Sequence, residues 1–182
     1  MRGFVLVGGW PGSGKTTLAR ALASELDVAY LAKDEVKEAL MDALGAPGTV
    51  EQSRVLGAAA VHAVLRAARG CPGAVIDSTW FPYTIPLVRA LPGPVAEVRC
   101  QVPVEVARQR YRSRVRDERH LDRARTEDEL WGREVEPLGV GTLIRVNTEG
   151  AVDITRVAGE IRTALSSHLN VYRTSGLAAR PG

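Results

Sequence analysis

The sequence predicts an α/β fold in which five parallel strands form a sheet flanked by helices. Two observations predict it. Short apolar runs rich in strand formers alternate along the chain with longer stretches whose apolar residues recur every three or four positions. A glycine-rich loop joins the first such run to the first helical stretch. Strands that alternate with helices pair in parallel through right-handed crossovers, and 182 residues suit one domain with a substantial core.

The individual elements follow from these patterns. Strands are predicted at residues 4–8, 28–31, 74–77, 95–101 and 143–146. Helices are predicted at residues 18–26, 35–44, 50–69, 85–91, 104–115, 127–135 and 152–169. We expect one domain over residues 1–172 and a disordered polar tail over residues 173–182. Ligands bind beyond the carboxyl ends of strands in such sheets, so the residues that follow the first three strands should share one edge.

The charged residues are unevenly distributed along the chain. There are 24 basic residues and a net charge of +3, yet only Lys15, Lys33 and Lys37 are lysines. Eight arginines fall within residues 108–125. Two cysteines without metal-ligand spacing are typical of reduced thiols in a cytoplasmic protein. No run approaches the ~18 uninterrupted apolar residues of a membrane span, so the sequence predicts a cytoplasmic protein without a membrane partner.

Residues 9–17 read Gly-Trp-Pro-Gly-Ser-Gly-Lys-Thr-Thr and match G-x-x-x-x-G-K-[ST] in full, between a predicted strand and a predicted helix. The glycines let consecutive backbone N–H groups turn inward around phosphate oxygens at a helix N-terminus. Lys15 would reach the β- and γ-phosphates, and the Thr16 hydroxyl would bind Mg²⁺. The motif therefore predicts a site for a purine nucleoside triphosphate and Mg²⁺. Its predicted nucleotide-binding residues are Gly9, Pro11, Gly12, Ser13, Gly14, Lys15, Thr16 and Thr17.

Two aspartates follow later strands. Asp34 comes after the second strand, and Asp77 ends the third strand and is followed by Ser78 and Thr79. An acidic residue that ends a buried apolar run is typical of a carboxylate that holds Mg²⁺ through its water shell. A solvated aspartate at a strand end is the alternative. We predict that Thr16 and Asp77 form the metal-binding pair.

With these residues, and with Arg110 and Arg114 in the arginine-rich segment, the chain resembles the P-loop kinases of the adenylate-kinase-like group. It is most similar to chloramphenicol phosphotransferase, polynucleotide kinase and zeta-toxin-like kinases, over residues 4–169. The resemblance implies a P-loop kinase domain with a short arginine-rich lid at about residues 108–126. It also implies that the cofactors are ATP and Mg²⁺.

The resemblance gives Asp34 a catalytic role. In those families the carboxylate at the end of this strand lies close to the acceptor hydroxyl, orients it and accepts its proton. The alternative is an N-cap of the following helix, because aspartate is a favoured cap. Lys15 and Arg114 complete the predicted catalytic set.

Arg110 and Arg114 are four residues apart and are predicted on one helical face. In the resembled kinases such a pair opens the lid, with one guanidinium near adenine and the other clamping the transferring phosphate. The planar guanidinium suits this because it donates to phosphate in a bidentate manner. A solvated helix face is the alternative. Asn147 and Thr148 follow the fifth strand, at the position that contacts adenine in this group.

The acceptor side is predicted from Asp34 and from the segment after the third strand. Ser78, Trp80 and Tyr83 are predicted to line an acceptor pocket, and ordinary core packing is the alternative for the two aromatic residues. Arg54 could meet a polar or anionic acceptor, or could lie on the surface.

These features predict an ATP-dependent phosphotransferase that moves the γ-phosphate to a hydroxyl of a small molecule, as a monomer or homodimer. By resemblance the acceptor is expected to be an antibiotic or nucleoside-like natural product, whose modification would confer self-resistance. A Ras-type GTPase is disfavoured because residues 147–150 read Asn-Thr-Glu-Gly where guanine recognition needs Asn-Lys-x-Asp. Two alternatives remain open. One is a polynucleotide 5′-hydroxyl or nucleotide kinase that uses the arginine-rich segment, and the other is a regulatory ATPase or nucleotide switch that needs no acceptor carboxylate.

Overall fold

The structure, a computed structural model, describes residues 1–114, 117–121, 124–131 and 135–175, with side chains as far as Ser167. Its strands are β1 (Gly3–Gly8), β2 (Ala29–Ala32), β3 (Gly73–Asp77), β4 (Val95–Gln101) and β5 (Thr142–Asn147). They form one sheet in the order β2-β3-β1-β4-β5, and every neighbouring pair is parallel. The predicted five-stranded parallel sheet is therefore confirmed.

The described residues include seven α-helices, which agree with the predicted ones to within about three residues except at the end of the last helix. They are α1 (Lys15–Leu26), α2 (Lys33–Leu44), α3 (Val50–Ala68), α4 (Ile85–Arg89), α5 (Val104–Ser113), α6 (Glu127–Trp131) and α7 (Ile154–Ser175). The predicted end of the helix at 127–135 follows residues 132–134, which lie outside the described residues. Helix α5 ends before Arg114, and α7 continues past its predicted end at residue 169. The first residues of the predicted tail are therefore helical, and residues 176–182 lie outside the described part of the chain.

The sheet is covered on both faces, which explains why β1 is buried along its whole length. Side chains alternate between the two faces of a strand. Val5 and Val7 pack with apolar residues of α1 and α7, whereas Phe4 and Leu6 pack with apolar residues of α3. Because β1 packs against helices on both faces, it holds the loop that follows it in a fixed position.

Within the described residues no helix is long and apolar enough to cross a membrane.

The strand register brings three functional segments to one edge of the sheet. Val7 near the end of β1 is level with Asp77, which ends β3, and Ala32 at the end of β2 is level with the same aspartate. The phosphate-binding loop, the first turn of α2 and the segment after β3 therefore leave the sheet side by side. The expectation that they share an edge is confirmed.

A buried glutamate fixes the loop that enters β5. Glu97 lies on β4, and its carboxylate accepts hydrogen bonds from the backbone N–H groups of Leu138 (2.6 Å), Val140 (2.7 Å) and Gly141 (3.2 Å). Hydrogen bonds to a charged group are stronger than hydrogen bonds between neutral groups. A buried N–H group that is left without an acceptor destabilises the folded state, because the free energy of removing it from water is no longer offset.

We predict that Glu97→Ala lowers the free energy of unfolding by about 2–4 kcal/mol, because it leaves three backbone N–H groups without their hydrogen-bond acceptor. Urea denaturation followed by circular dichroism measures the change. Glu136→Ala is the control, since Glu136 is exposed in the same connection, and it should change stability by less than about 0.5 kcal/mol. Equal, small losses in both variants would contradict the structural role of Glu97.

Candidate active site

A cleft of about 130 Å³ lies at the carboxyl edge of β1, β2 and β3. Its walls come from four segments of the chain: the glycine-rich loop, the first turns of α2, the residues after β3, and the segment between α5 and α6. The lining residues are Pro11, Lys15, Thr16, Lys33, Asp34, Lys37, Asp77, Ser78, Thr79, Tyr111, Arg114, His120, Arg125 and Leu130. The cleft thus joins the predicted nucleotide-binding loop to Asp34 and Asp77.

The glycine-rich loop needs glycine at two of its positions for different reasons. Gly14 has φ +83° and occupies the N-cap position of α1, where its left-handed conformation turns the chain into the helix. Gly12 has φ +77°, and a Cβ there would lie 2.3 Å from the carbonyl oxygen of Ala107 on α5. The loop therefore leads directly into α1 through Gly14 and packs closely against the backbone of α5 at Gly12.

Lys15, the first residue of α1, points its ammonium back over the loop. Its Nζ donates a hydrogen bond to the carbonyl oxygen of Trp10 at 2.9 Å. Burial lowers the pKa of Lys15, and the negative charges of Asp77 and Asp34 act in the opposite direction. A partly buried ammonium at the N-terminus of a helix is suited to bind phosphate oxygens, because the loop N–H groups and the helix dipole favour an anion at the same place.

Thr16 and Asp77 form a directly bonded pair. The Thr16 hydroxyl donates to Oδ2 of Asp77 at 2.6 Å, and the Tyr30 hydroxyl lies 3.3 Å from the same oxygen. Burial raises the pKa of Asp77, while the hydrogen bond from Thr16 and the charge of Lys15 lower it. Burial, followed by the nearby Asp77 charge, raises the pKa of Tyr30.

The donor chemistry of this pair fits Mg²⁺, because hydroxyl and carboxylate oxygens are the hard ligands that this ion takes. The described residues contain no group of three or more histidine, cysteine, aspartate or glutamate side chains that could hold a metal by itself. Mg²⁺ typically keeps several waters and is bound through one or two protein oxygens plus substrate phosphates. Thr16 and Asp77 could hold it in that manner.

Asp34 lies inside the first turn of α2 and does not cap it. The N-cap residue of α2 is Ala32, without a side-chain capping bond. Asp34 lines the cleft, and one of its carboxylate oxygens accepts a hydrogen bond from Nζ of Lys33 at 2.8 Å. The capping alternative is therefore excluded, and Asp34 lies on the cleft side of the helix.

Arg110 and Arg114 do not share a helical face as predicted. Helix α5 ends at Ser113, and Arg114 has extended backbone angles (φ −73°, ψ 138°). Its guanidinium lies 4.2 Å from the ring centre of Tyr111, and its side chain lines the cleft. The guanidinium of Arg110 instead donates to the carbonyl oxygens of Thr148 (2.9 Å) and Glu149 (2.7 Å). The two arginines thus serve different ends of the site.

The connection after β5 is tied to the glycine-rich loop. Thr148 is buried, and its hydroxyl donates to the carbonyl oxygen of Ser13 at 2.7 Å. The side-chain oxygen of Asn147 accepts from the backbone N–H of Glu149 at 2.9 Å, which shapes the turn. Together with Arg110 these residues build a wall beside the loop, at the position predicted for the adenine.

The described residues of the predicted lid segment pack against the body of the protein. His120 is buried, and its Nε2 lies 2.7 Å from Oε1 of Glu38 on α2. Arg119 pairs with Asp42 on α2 at 2.7 Å. Arg54 on α3 pairs with Glu129 on α6 at 2.5 Å. The first two contacts dock the segment on acidic side chains of α2, and the third joins α3 to α6. Residues 115–116, 122–123 and 132–134 lie outside the described residues.

An aromatic contact that sequence reasoning missed covers the loop. Trp10 of the glycine-rich loop packs against Trp131 on α6, with ring centres 5.6 Å apart. The ring of Tyr111 meets Trp131 edge-on at 5.8 Å, and the Arg108 guanidinium lies 5.6 Å from the Trp131 ring centre. Trp131 thus connects the glycine-rich loop to the start of the lid segment.

Three of the predicted acceptor-pocket residues lie elsewhere. Trp80 is buried in the core, and its indole N–H donates to the carbonyl oxygen of Val7 at 3.0 Å. Tyr83 is half exposed and stacks with Phe81, with ring centres 6.2 Å apart. Arg54 is held by its ion pairs with glutamates. The alternatives of core packing for Trp80 and a surface position for Arg54 are therefore correct. Of this predicted set, Ser78 lines the cleft beside Asp34.

The cleft also contains residues that the sequence analysis did not assign, including Lys33, Lys37 and His120. A signal for two of them was present, because Lys15, Lys33 and Lys37 are the only lysines in a chain that otherwise uses arginine. All three line this one cleft. His120 had no comparable signal, because its burial depends on contacts with distant helices.

Comparison with known proteins agrees with this geometry. Residues 4–134 match the family model AAA_33, described as AAA domain. Curated relatives include the uncharacterized protein Rv2004c of Mycobacterium tuberculosis, which is 33% identical over 124 residues. That match covers 60% of this chain and 25% of the relative. The chain thus spans about a quarter of the length of the curated relatives that it matches.

Solved structures with this fold include kinases. A "putative kinase" from Chloroflexus aurantiacus is 27% identical, with a TM-score of 0.77 over 90% of this chain and 98% of that chain. A gluconokinase from Sinorhizobium meliloti is 20% identical, with a TM-score of 0.56 over 96% and 97% of the two chains. Shikimate kinase from Acinetobacter baumannii is also 20% identical, with a TM-score of 0.52 over 92% and 94%. The chain therefore belongs to the AAA_33 family of AAA domains and has the fold of small-molecule P-loop kinases.

Proposed function

We propose that the protein is an ATP- and Mg²⁺-dependent phosphotransferase that moves the γ-phosphate of ATP to a hydroxyl of a small molecule. One observation carries the proposal. The Asp34 carboxylate, the Lys15 ammonium and the Thr16–Asp77 pair all line one cleft. A nucleotide switch would need the lysine and the metal pair but has no use for a second carboxylate in the same cleft. A kinase needs it to direct the acceptor.

On the donor side, Lys15 and the loop N–H groups bind the β- and γ-phosphates. Thr16 and Asp77 would hold Mg²⁺, and the bound ion would supply positive charge to offset the negative charge of the nucleotide phosphates. The hydrogen bond from Lys15 to the Trp10 carbonyl would be exchanged for one to a phosphate oxygen. Arg110 and the connection after β5 would flank the adenine.

On the acceptor side, Asp34 accepts the proton of the acceptor hydroxyl. The acceptor oxygen forms a bond to the γ-phosphorus while the bond from that phosphorus to the β–γ bridging oxygen breaks. ADP leaves with the bridging oxygen, and the proton remains on the Asp34 carboxyl until solvent removes it. Positioning and charge stabilisation supply most of the rate acceleration in such a reaction.

Arg114 would stabilise the transferring phosphoryl group from the lid side. We predict that Arg114→Ala lowers kcat at least about tenfold with a smaller effect on nucleotide affinity, because lid arginines act mainly on transition-state charge. Steady-state kinetics and calorimetric titration with a non-hydrolysable ATP analogue measure the two quantities. Arg112→Ala is the matched control, since Arg112 lies two residues before Arg114, in the last turn of α5, and pairs with Glu127. Unchanged turnover in the Arg114 variant would dismiss this role.

The acceptor is a small molecule in this proposal. The shikimate kinase of similar fold was solved with shikimate bound, which is the size of compound that such a cleft takes. The resemblance to chloramphenicol phosphotransferase favours an antibiotic or nucleoside-like natural product, with self-resistance as the benefit. We further propose a cytoplasmic location, where ATP is available.

Four of the six described arginines of the arginine-rich segment count against a nucleic-acid acceptor. Arg108 and Arg112 pair with Glu127 on α6, Arg119 pairs with Asp42 and Asp117, and Arg110 is held by backbone carbonyls. These guanidinium groups could bind a phosphate backbone only by giving up their contacts within the protein. The small-molecule acceptor is therefore favoured.

A transfer screen with γ-labelled ATP tests the proposal. The protein is incubated with Mg²⁺ and separate pools of antibiotics, nucleosides, sugars, hydroxy acids and oligonucleotides, and labelled products are separated from inorganic phosphate. We expect label in an organic phosphate ester from one of the small-molecule pools. Label that appears only as inorganic phosphate in every pool would contradict the kinase proposal and favour an ATPase. Label on oligonucleotides alone would replace the acceptor class.

A further inference from the structure

Tyr30 lies on β2, the edge strand beside β3, and packs against the apolar cluster on the α1 side of the sheet. It is level with Val75 of β3, and Asp77 follows Val75 by two residues. Side chains alternate between the two faces of a strand, so Val75 and Asp77 share a face. Val75 belongs to the same cluster as Tyr30. The Tyr30 side chain therefore lies on the face of the sheet that carries the Asp77 carboxylate.

The length of the tyrosine side chain lets it reach that carboxylate. Two residues of strand correspond to about 7 Å along the sheet, and the Tyr30 hydroxyl covers this offset to lie 3.3 Å from Oδ2 of Asp77. A phenylalanine would pack against the apolar cluster equally well. The hydroxyl is therefore the part of this side chain that core packing does not explain.

Two hydroxyl groups converge on one oxygen of Asp77. Thr16 donates to Oδ2 at 2.6 Å, and Tyr30 approaches the same oxygen from β2. Among the described residues no side chain donates a hydrogen bond to the other oxygen, Oδ1. Asp77 lines the cleft. Two donors on Oδ2 fix the orientation of the carboxylate, and Oδ1 is left for a ligand or its water shell.

The tyrosine ring is itself held in place. The guanidinium of Arg20 on α1 lies 4.8 Å from the ring centre, which is within the range of a cation–π contact. The ring also packs with apolar residues of the α1-side cluster, and Tyr30 is only partly exposed. Its hydroxyl is thus directed at Asp77 by contacts that do not involve the cleft.

We infer that Tyr30 is a positioning residue of the Mg²⁺ site, whose hydroxyl holds Oδ2 of Asp77 so that Oδ1 is presented to the ion or to its water shell. The inference rests on the proposed assignment of Thr16 and Asp77 and adds a third residue, from β2, that acts through Asp77. It does not depend on the acceptor or on the transfer step.

Tyr30→Phe tests the inference because it removes the hydroxyl and keeps the ring. Calorimetric titration with a non-hydrolysable ATP analogue, once with Mg²⁺ and once with a chelator, gives the gain in affinity that the metal provides. We expect this gain to fall about three- to tenfold in the variant, while the affinity without metal stays within about twofold of the wild type. Titration of the analogue complex with Mn²⁺, followed by the paramagnetic resonance of the free ion, should show the same loss. Tyr83→Phe is the matched control, since it removes a hydroxyl from a half-exposed ring, and both quantities should be unchanged.

A double-mutant cycle connects the effect to Asp77. Asp77→Ala removes the carboxylate, so that Tyr30 has nothing left to position. We expect Tyr30→Phe to cause no further loss of Mn²⁺ affinity in the Asp77→Ala background. An equal further loss in that background would show that the hydroxyl acts independently of Asp77, and would overturn the inference.

The remaining outcomes separate this inference from the proposed function. An unchanged metal gain in Tyr30→Phe would overturn the positioning role and leave the kinase proposal intact. Equal losses with and without metal would indicate a purely structural role and would overturn it as well. A wild-type protein whose analogue affinity gains nothing from Mg²⁺ would overturn both the metal pair and this inference. A metal gain that falls in Tyr30→Phe would support the inference even if ATP yielded only inorganic phosphate, because no transfer step enters the measurement.

Discussion

Lys15→Met is expected to lower kcat/KM for ATP by at least about 10³-fold, because the variant loses the one loop side chain that places a positive charge on the β- and γ-phosphates. The ammonium is partly buried, donates to a carbonyl of the glycine-rich loop and feels the negative charges of Asp77 and Asp34. Methionine fills the same space without the charge. Initial rates over a range of ATP concentrations measure the loss, and calorimetry with a non-hydrolysable ATP analogue measures nucleotide affinity.

The same variant should be as stable as the wild type or more stable, which excludes misfolding as the cause of lost activity. Burial lowers the pKa of Lys15 in the fold relative to the unfolded chain. The folded protein therefore binds this proton less tightly, and the charged lysine destabilises the fold at every pH below its unfolded pKa. A neutral replacement removes that effect. A Lys15→Met protein that folds but still binds and turns over ATP normally would contradict the assignment of the loop.

Asp34→Asn is expected to bind ATP with affinity within about threefold of the wild type and to lose phosphoryl transfer by about 10²–10⁴-fold. The reason is that asparagine keeps the size and the hydrogen-bonding reach of the side chain but cannot accept the hydroxyl proton. Glu35→Gln is the matched control, because Glu35 is the next residue on α2 and pairs with Arg20 outside the cleft. Transfer rates and analogue binding are measured for both variants.

The result of this pair of variants also separates a kinase from a nucleotide switch. If Asp34→Asn turned over ATP at the wild-type rate while Glu35→Gln did the same, Asp34 would have no part in the reaction, and a regulatory ATPase would be favoured. A large loss of phosphoryl transfer in Glu35→Gln would instead indicate that the total charge of α2 affects the transfer rate. The proposed role of Asp34 requires the loss of transfer to occur only in the Asp34 variant.

The donor half of the cleft could be predicted from sequence because its geometry is local or is imposed by the sheet. The loop motif lies within nine consecutive residues between β1 and α1. The parallel register then places Asp77 level with Val7 and Ala32, so that the ends of three strands meet. Neither step needs knowledge of distant side-chain contacts.

The acceptor half could not be predicted in the same way because distant residues form it. His120 reaches the cleft only because the segment after α5 docks on α2, where Nε2 of His120 meets Glu38. Arg114 faces the cleft because α5 ends at Ser113 and Arg114 is extended. The sequence contains no capping signal at this point, so this helix end could not be predicted. Trp80 follows the strand in a position typical of a pocket residue, yet its indole fills the core and bonds to β1. Tertiary packing decided each of these cases.

The most direct test of the transfer site is the fate of the γ-phosphorus when the reaction runs in ¹⁸O-labelled water with ATP, Mg²⁺ and the acceptor that the γ-labelled ATP screen identifies. Phosphorus-31 magnetic resonance and mass spectrometry identify the products and their oxygen isotopes. The account predicts a phosphate ester of the acceptor that contains no oxygen from water, formed in equal amount to ADP. Inorganic phosphate with one oxygen from water as the sole product, whichever acceptor is present, would contradict it.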